Sequence, residues 1–517
     1  MNNNLNPTNG ITPVSLTRYD MSGTLTFNAS LQDRKDTIDE LNAIIKEASK
    51  KIFENSQGKC DWTAENDKVH LRIQSEAYRA HEAFVRLRKI IETSFAQKFK
   101  IGLREARIDR YMIRIQLDQE AKEPIKIPFA KSVEIRDKEC TMIIEDMDER
   151  DIRRNYVDRM ISLVSEKIAG QHYTGKKDYW DLMWSSGPKQ ILFNLDPTNE
   201  MLKRGWVVQG PTKGRWFLRP QVTRLVRTME EIALDEIIRP LGFQEVIEPH
   251  LESFDTLLKT GHLSGVPGEL YYVMEPKTRD PQAWENFVDL VKVTIEVPQD
   301  ELLKMITPHD AIICYVQCPN IYESLSGRII ANESIPAMLF DRSAVSNRNE
   351  SGGRHGLERV DEFHRIELVY LGLPDQLVEL KEKMLNRYKH VFEDILQLEW
   401  RMAWVTPFYM QQAGQTGVED KDSKVKGTID FEAYLPYRGQ RDASEWLEFQ
   451  NLTILGDKFT KAFNVKAQKG ELWSGCSGIG LERWVLAFLS QKGLDEENWP
   501  ETFRKRVGIL PKPIKTY

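Results

Sequence analysis

The chain has 517 residues, of which 41% are hydrophobic and 29% charged, and its formal net charge is -6 at pH 7. This composition is typical of a globular protein, and about 150 residues per domain predicts roughly two to four domains. No run of about 18 apolar residues occurs, and the amino terminus lacks the segments of a signal peptide, so we expect no membrane association. Five cysteines without a secretory signal indicate a reducing compartment, and we therefore expect a cytoplasmic protein.

Residues 1–20 are predicted to form a flexible tail, and residues 21–170 an amino-terminal α+β domain that ends in a linker helix. Apolar spacing and β-branched runs define the elements of this domain. The predicted helices are 37–53, 76–95 and the linker 151–168, and the predicted strands include 24–30, 68–74, 111–117 and 125–129.

Basic residues are concentrated between Arg79 and Gln116, where ten Lys and Arg stand against four acids, a local excess of six. Such an excess would attract a polyanion such as RNA. A solvated helix face followed by a strand would give the same pattern without any partner. The sequence alone leaves both interpretations open.

Residues 171–517 are predicted to form a second, larger domain. Tryptophans cluster at its start, and long amphipathic helices then alternate with strands. The segment 275–306 is bounded by Pro and Asp and is predicted to be a helical insertion.

A charged hairpin is predicted at residues 346–368, where two β-runs flank a glycine-containing turn. Strand alternation predicts that Phe363, Arg365 and Glu367 project from one face, with His364, Ile366 and Leu368 on the other. We also expect Arg348 and Glu350 to share a face. An aromatic ring, guanidinium groups and carboxylates on one surface would suit a nucleotide. An exposed hairpin with cross-strand ion pairs is the alternative.

Three segments resemble the signature motifs of class II aminoacyl-tRNA synthetases. Arg348-Asn349-Glu350 followed by Arg365-Ile366-Glu367 is similar to the second motif, and GIGLERW at 478–484 to the third. The segment 237–253, predicted to be a long helix followed by a strand ending at Pro249, resembles the first. Together with CYVQCPN, DEFHRIEL, WLEFQN and LWSGCSGIGLERW, these motifs resemble the atypical, methanogen-type seryl-tRNA synthetases.

The resemblance implies an α+β protein with an antiparallel catalytic sheet, working as a homodimer. It also implies that serine and ATP form seryl-adenylate, which is transferred to the 3′-terminal adenosine of tRNA-Ser held by the amino-terminal domain. Other small amino acids (threonine, alanine or a noncanonical hydroxy amino acid) and a carrier-protein acceptor remain alternatives. A non-catalytic tRNA-binding paralogue is an alternative of another class.

The resemblance also assigns roles to individual residues. Arg348 and Arg365 would be catalytic, although Arg365 could equally be the structural partner of a neighbouring acid. The residues implied for ATP are Arg348, Glu350, Arg359, Phe363, Glu448 and Arg483.

Two metal sites are implied by the same resemblance. Zinc would be bound by Cys318, Glu367 and Cys476, and Mg²⁺ by Glu448 and Asn451. Strict alternation puts Glu448 and Asn451 on opposite faces of a strand, so their pairing requires a bulge. If 311–318 is a strand, Cys314 lies about 13 Å from Cys318, too far to share an ion, and we expect it in the core with Cys60 and Cys140.

The substrate pocket is implied to include Glu350, Phe408, Asn451 and Thr453. Glu350 is the candidate partner of the serine hydroxyl, because a site that hydrogen-bonds an OH strongly rejects a substrate without one. Phe408 and Thr453 stand where the family pattern has tryptophan and serine, and Asn349 replaces an aromatic residue. These departures leave the strictness of serine selection open.

Overall fold

The computed structural model describes residues 17–31, 35–54, 56–76, 78–172, 180–350, 354–405 and 427–514. The chain divides into two units, residues 1–176 and 177–517. Among the described residues, no helix is both long and apolar enough to cross a membrane.

The first unit is an antiparallel sheet of six strands in the order β2-β3-β1-β4-β6-β5. Its strands are β1 (Thr17–Phe27), β2 (Gly58–Glu65), β3 (Lys68–Glu76), β4 (Leu103–Gln116), β5 (Ser132–Arg136) and β6 (Glu139–Asp148). Its helices are α1 (Lys35–Ile52), α2 (Ala80–Lys98), α3 (Glu149–Arg153) and α4 (Tyr156–His172).

Helix α2 shows why this unit folds as it does. Phe84, Leu87, Ile91 and Phe95 recur at helical spacing, and all four are fully buried against the sheet. Burying each such side chain stabilises the fold by about 1.5–3 kcal/mol. The opposite face of the helix keeps its polar residues in water.

The structure differs from the sequence predictions for this unit at four places. β1 begins at Thr17, inside the predicted tail 1–20. Residues 125–129 form no strand. The linker helix is broken at Arg154 and at Asn155, whose φ of 57° is not helical. Cys140 is buried in the core as predicted, whereas Cys60 is only partly buried.

The second unit is built on a sheet of nine strands, in the order β10-β15-β17-β22-β20-β19-β18-β7, with β16 beside β17. All neighbours are antiparallel except β10 and β15. These strands are β7 (Trp180–Ser185), β10 (Gln244–Glu245), β15 (Ala337–Asp341), β16 (Val345–Asn347), β17 (Glu362–Gly372), β18 (Trp400–Val405), β19 (Gly427–Ala433), β20 (Leu447–Gly456) and β22 (Trp473–Gly480).

Smaller elements surround this sheet. The other strands are β8 (Val207–Gln209), β9 (Trp216–Leu218), β11 (Leu251–Ser253), β12 (Tyr272–Pro276), β13 (Ile306–Ile313), β14 (Ile329–Ile330) and β21 (Lys466–Ala467). The helices are α5 (Pro197–Lys203), α6 (Pro220–Ala233), α7 (Arg239–Leu241), α8 (Phe254–Thr260), α9 (His262–Gly265), α10 (Glu285–Thr294), α11 (Gln299–Met305), α12 (Cys318–Ser324), α13 (Pro374–His390), α14 (Lys458–Ala462), α15 (Leu481–Lys492) and α16 (Glu501–Val507).

The two faces of the nine-stranded sheet have separate cores. On one face α6, α13 and α15 pack over the strands, and the core there includes Ile366, Leu368 and Trp484. On the other face a smaller cluster includes Val369, Tyr322 and Cys476. Alternate residues of β17 therefore point to opposite sides, as the sequence predicted for residues 363–368.

The predicted insertion 275–306 corresponds to α10 and α11 between β12 and β13. The segment 237–253 contains the end of a helix, but its strand β10 has only two residues and stops before Pro249. The strand predicted for 311–318 is wrong beyond Ile313, because β13 ends there and Cys318 begins α12. The predicted spacing of Cys314 and Cys318 along one strand therefore does not apply.

His364 links β17 to α15 on the helix-covered face. Its backbone N–H donates to Glu482 at 2.9 Å, and its ring Nδ1 lies 2.6 Å from the same carboxylate. The hydrogen bond to Glu482 raises the pKa of His364, while desolvation and Arg227 oppose the rise and Glu230 adds to it.

We therefore expect a pH-dependent contribution of His364 to stability. A histidine whose pKa is raised on folding stabilises the fold fully below its unfolded pKa of about 6.5, and this contribution disappears as pH rises through the folded value. In urea unfolding, His364→Gln should lower the free energy of unfolding more at pH 5.5 than at pH 9. His390→Gln, at an exposed pair with Asp394, is the control. An equal loss at both pH values would contradict this assignment.

Candidate active site

The face of the sheet opposite α6 and α13 carries rows of side chains, because directly opposed residues of neighbouring strands point the same way. We call it the site face. One row runs Cys476, Thr453, Thr428 from β22 through β20 to β19. The next row contains Glu367, Gly478, Asn451 and Asp430. Beyond it, Arg365 pairs with Gly480, and Glu448, Glu432 and Arg401 form a row across β20, β19 and β18.

A bulge in β20 brings Glu448 and Asn451 to the same face. Asn451 pairs with Asp430 and Gln450 with Phe431, but Glu432 pairs with Glu448, so Phe449 is the extra residue. Leu447 and Phe449 before this point, and Leu452 and Ile454 after it, all lie in the helix-side core. The bulge that the sequence required between Glu448 and Asn451 is therefore present.

Cys318, Glu367 and Cys476 meet on the site face. One ligand atom from each lies within 4.8 Å of the other two, and all three residues are buried. No other such group of three occurs among the described residues, and Cys314 is not part of it. Three elements distant in sequence supply the group: the start of α12, the middle of β17 and β22.

The donor set fits a divalent metal ion. Two thiols and one carboxylate form the protein part of a catalytic zinc shell that leaves a fourth position open. Oε2 of the fully buried Glu367 side chain is in an ion pair with Arg365, and Oε1 has no hydrogen-bond partner among the described residues. A hydrogen bond to Cys476 and burial raise the pKa of Cys318, and burial raises that of Glu367. A bound cation would favour the charged forms of these groups.

Arg365 is the charged neighbour of this group. Its Nε lies 2.6 Å from Oε2 of Glu367, and its side chain is only 10% exposed. Gly478 makes room for the guanidinium, since a Cβ at residue 478 would lie 1.9 Å from Nη2. The structure thus places Arg365 beside Glu367, which is the structural alternative considered for this residue.

Two buried tyrosines hold the backbone around Cys476. Tyr322 donates from its hydroxyl to the carbonyl oxygen of Gly475 at 2.9 Å. Tyr370 donates to the carbonyl oxygens of Thr453 at 2.7 Å and Cys476 at 3.1 Å. The Cys476 thiol therefore projects from a backbone that is fixed on both sides.

Arg348 lies between two aromatic rings. Its guanidinium carbon is 4.6 Å from the ring centroid of Tyr315 and 5.5 Å from that of Phe363. β16 ends at Asn347, so the prediction that Arg348 and Glu350 share the face of a strand is wrong. Cation–π contacts, rather than strand alternation, orient this arginine toward the site.

The loop after Arg348 is organised around Asp361. Arg354 donates from Nε and Nη2 to the Asp361 carboxylate at 2.7–3.0 Å, and the Glu350 backbone N–H donates to it at 3.4 Å. Hydrogen bonds from Arg354 and Tyr271 outweigh desolvation and lower the pKa of Asp361. Glu350 and Arg359 belong to this loop, whose residues 351–353 lie outside the described part of the chain.

Arg483 connects the third motif to β20. Its Nη1 donates to the carbonyl oxygen of Glu448 at 2.8 Å and lies 3.3 Å from Oε2 of the same residue. Nε donates to the carbonyl oxygen of Glu358 at 3.2 Å. Asn451 accepts a hydrogen bond from the Gly478 N–H at 3.0 Å. Glu448 keeps one carboxylate oxygen outside these contacts.

Phe408 lies outside the described residues, so its predicted place in the substrate pocket has no structural counterpart here. Thr453 is on the site face beside Cys476. Asn349 donates from its side chain to the Gly268 carbonyl oxygen at 2.9 Å, away from the metal-binding group.

Sequence reasoning missed several residues of the site face. Tyr315 supports Arg348, and Thr428, Asp430, Glu432 and Arg401 extend the rows across β19 and β18. Burial and the neighbouring Glu448 and Glu432 raise the pKa of Asp430 well above its usual value. Polar residues alternate along β19 at Thr428, Asp430 and Glu432, and this alternation indicates one polar face. No sequence motif linked that face to the active site.

Two further acids, Glu248 and Glu252, are buried. Burial raises the pKa of Glu248 to about 10 and that of Glu252 to about 7. One oxygen of each has no hydrogen-bond partner among the described residues. The Cys314 thiol lies 3.9 Å from Glu248 and is fully buried, so the expectation of a buried thiol is confirmed.

Comparisons with known proteins give consistent results for both units. Residues 17–166 match a family described as tRNA-binding domain, and residues 304–492 match the tRNA synthetase class II core domain (G, H, P, S and T). The chain is 45% identical over 461 residues to the type-2 serine--tRNA ligase of Methanothrix thermoacetophila, covering 88% of this chain and 90% of the relative. The corresponding protein of Methanocaldococcus jannaschii is 30% identical, with 96% and 97% covered.

A solved structure is also similar over nearly the whole chain. It is described as the crystal structure of A. aeolicus tRNASec in complex with M. kandleri SerRS. The TM-score is 0.85 at 29% identity, and the match covers 97% of this chain and 99% of the other.

Proposed function

The chain belongs to the family of type-2 serine--tRNA ligases, and we propose that its site face activates serine with ATP and transfers it to tRNA. The observation that carries this proposal is the convergence of Arg348, Arg365, Glu367, Cys318 and Cys476 on one buried face of an antiparallel sheet. The first step can be measured directly as serine-dependent exchange of pyrophosphate into ATP.

The reaction joins two anions and therefore depends on charge neutralisation and positioning. A carboxylate oxygen of serine attacks the α-phosphorus of ATP, and the bond to the bridging oxygen of pyrophosphate breaks. A ribose hydroxyl of the terminal adenosine of tRNA then attacks the carbonyl carbon of the adenylate, and AMP leaves. Both steps require a cationic site that excludes water.

Arg348 is the residue we assign to the α-phosphate. Tyr315 and Phe363 hold its guanidinium from two sides, so little side-chain entropy is lost when a phosphate binds. Phe363 would also stack on adenine, with Arg359 and Arg483 at the outer phosphates or the adenine face. Gly480 supports this placement because it carries no side chain, and a Cβ there would meet nothing closer than 3.8 Å.

Cys318, Glu367 and Cys476 would hold zinc. When bound, the ion would bind the amino group of serine as a neutral amine in its open coordination position. Arg365 would orient Glu367 from the buried side. Tyr322 and Tyr370 would keep the Cys476 backbone in place. The polar partner of the serine hydroxyl remains Glu350 in this proposal, with Asn451 and Thr453 lining the same pocket.

Glu448 and Asn451 would hold Mg²⁺ together with phosphate oxygens of ATP, which is how proteins usually bind this ion. The bulge at Phe449 supports this pairing, because it turns both side chains to the site face. Arg483 would fix Glu448 from the adjacent helix.

The zinc assignment predicts that purified protein contains about one zinc ion per chain. Cys476→Ala should lose the metal and, with it, serine-dependent pyrophosphate exchange, because a two-ligand site binds zinc far more weakly. Elemental analysis and the exchange assay measure the two effects. Cys60→Ala, whose thiol lies in the first unit, is the matched control and should retain both. Full exchange activity in a metal-free preparation would contradict the assignment.

The amino-terminal unit is proposed to hold tRNA through α2. Four of the cations predicted as a basic stripe are occupied by ion pairs within the unit: Arg79, Arg88, Lys98 and Arg107. Arg110 and Arg114 lie on the open face of the sheet beside Glu145 and Asp20. Arg86 and Lys89 project into solvent from α2 and form no ion pair within the described residues. Among the cations of α2, they are therefore the candidates for phosphate contacts.

Reversing both charges with Arg86→Glu and Lys89→Glu should raise the KM for tRNA charging about tenfold or more and reduce the salt dependence of tRNA binding by about two phosphate contacts. Serine-dependent pyrophosphate exchange should stay at the level of the unmodified protein, since the catalytic unit is untouched. The control is the double substitution Arg110→Glu and Arg114→Glu, which reverses two positive charges on the open face of the sheet. It should raise the KM for tRNA charging less than the α2 substitutions do. Equal loss of charging and exchange would argue against this assignment.

We further propose that the protein is a homodimer that works in the cytoplasm, where tRNA is aminoacylated. Around the first motif, Ile247 is 82% exposed and Leu258 61% exposed in the single chain, so both apolar side chains are available to a second copy. Sedimentation equilibrium should give twice the chain mass of 60.1 kDa. Ile247→Glu should shift the population toward 60.1 kDa, and a monomeric unmodified protein would contradict the proposal.

A further inference from the structure

A pair of threonines closes the row that begins at Cys476. Thr453 is the direct cross-strand partner of Cys476, and Thr428 is the direct partner of Thr453 on the other side. Opposed Cβ atoms of antiparallel strands are about 4.5–5.5 Å apart. Thr453 is thus adjacent to the metal-binding group, and Thr428 lies one strand further along the same face.

The two hydroxyls bind each other. Their Oγ1 atoms are 2.9 Å apart, and the residues are only 4% and 5% exposed. Each hydroxyl has a single hydrogen, so one donates to the other and the second hydrogen is not used within the pair. The pair therefore presents both a polar surface and two methyl groups in a closely packed region.

Close contacts prevent the backbone of Thr453 from moving away from the site face. The Thr453 carbonyl oxygen accepts the hydrogen bond from Tyr370 at 2.7 Å. A Cβ at Gly475 would lie only 2.4 Å from the same oxygen, so β22 and β20 are already in close contact there. A substrate that needs more space can gain it only by displacing side chains, which is unfavourable in a packed interior.

We propose that Thr428, together with Thr453, limits the size of the amino-acid pocket, so that it accepts the side chain of serine and rejects side chains that branch at Cβ. This inference rests on the proposed activation of serine. Threonine differs from serine by one methyl group on Cβ, and the volume of the Thr428 methyl group removes the space for it. Thr428 acts through the volume of its methyl group, which fills the space beside Thr453, and Glu350 remains the partner of the substrate hydroxyl.

The test compares three substitutions in the full-length protein. Thr428→Ser removes the methyl and keeps the hydroxyl, Thr428→Val keeps the volume and removes the hydroxyl, and Thr228→Ser changes a fully buried threonine of α6 outside the site face. Two ratios are measured: kcat/KM for threonine over serine in pyrophosphate exchange, and the affinities for unreactive threonyl- and seryl-adenylate analogues by calorimetry.

Thr428→Ser should raise both ratios by about tenfold or more, because one carbon in a tight pocket changes discrimination by roughly 10- to 200-fold. Thr428→Val and Thr228→Ser should leave both ratios within about twofold of the unmodified protein. Unchanged ratios in Thr428→Ser, or the same change in Thr428→Val, would overturn the inference. If the unmodified protein shows no exchange with serine, the proposed function has failed instead.

Discussion

The ion pair between Arg365, which is only 10% exposed, and the fully buried Glu367 is the constraint on which the catalytic unit depends. A buried carboxylate and guanidinium add little net stability compared with apolar residues, but removing either partner leaves an unpaired buried charge and costs about 3–5 kcal/mol. Glycine at residue 478 follows from this pair, because only the absence of a Cβ admits the guanidinium. The role of the ion pair is therefore to position the Glu367 carboxylate beside the thiols of Cys318 and Cys476.

The nine-stranded sheet aligns the functional side chains on one surface. Antiparallel pairing aligns residues from β17, β22, β20 and β19 in rows, so residues far apart in sequence become neighbours at regular spacing. The bulge at Phe449 places Glu448 and Asn451 on the same face, whereas strict alternation would place them on opposite faces. The glycines of β22 serve different purposes on this surface: Gly478 admits the Arg365 guanidinium, whereas Gly480 leaves open space beside it. A cationic group next to an open stretch of backbone suits a nucleotide phosphate.

The sequence predicted most of what depends on local periodicity and on motifs. The faces of residues 363–368, the main helices of the first unit and the convergence of Cys318, Glu367 and Cys476 were all predictable. The end of β13 was not, because the β-branched run of 311–316 continues past Ile313 although α12 requires a turn before Cys318. Arg348 is oriented by aromatic rings from other elements, and Thr428 by a strand pairing, and neither contact has a local sequence signal.

The central claim is that two thiols and one carboxylate of this chain hold a zinc ion on the site face. X-ray absorption at the zinc edge of the purified protein measures the ligands of that ion directly. The structure predicts two sulfur ligands at about 2.3 Å, with the remaining ligands oxygen or nitrogen at about 2.0–2.2 Å. A spectrum with four sulfur ligands, with no sulfur ligand, or without zinc would contradict it.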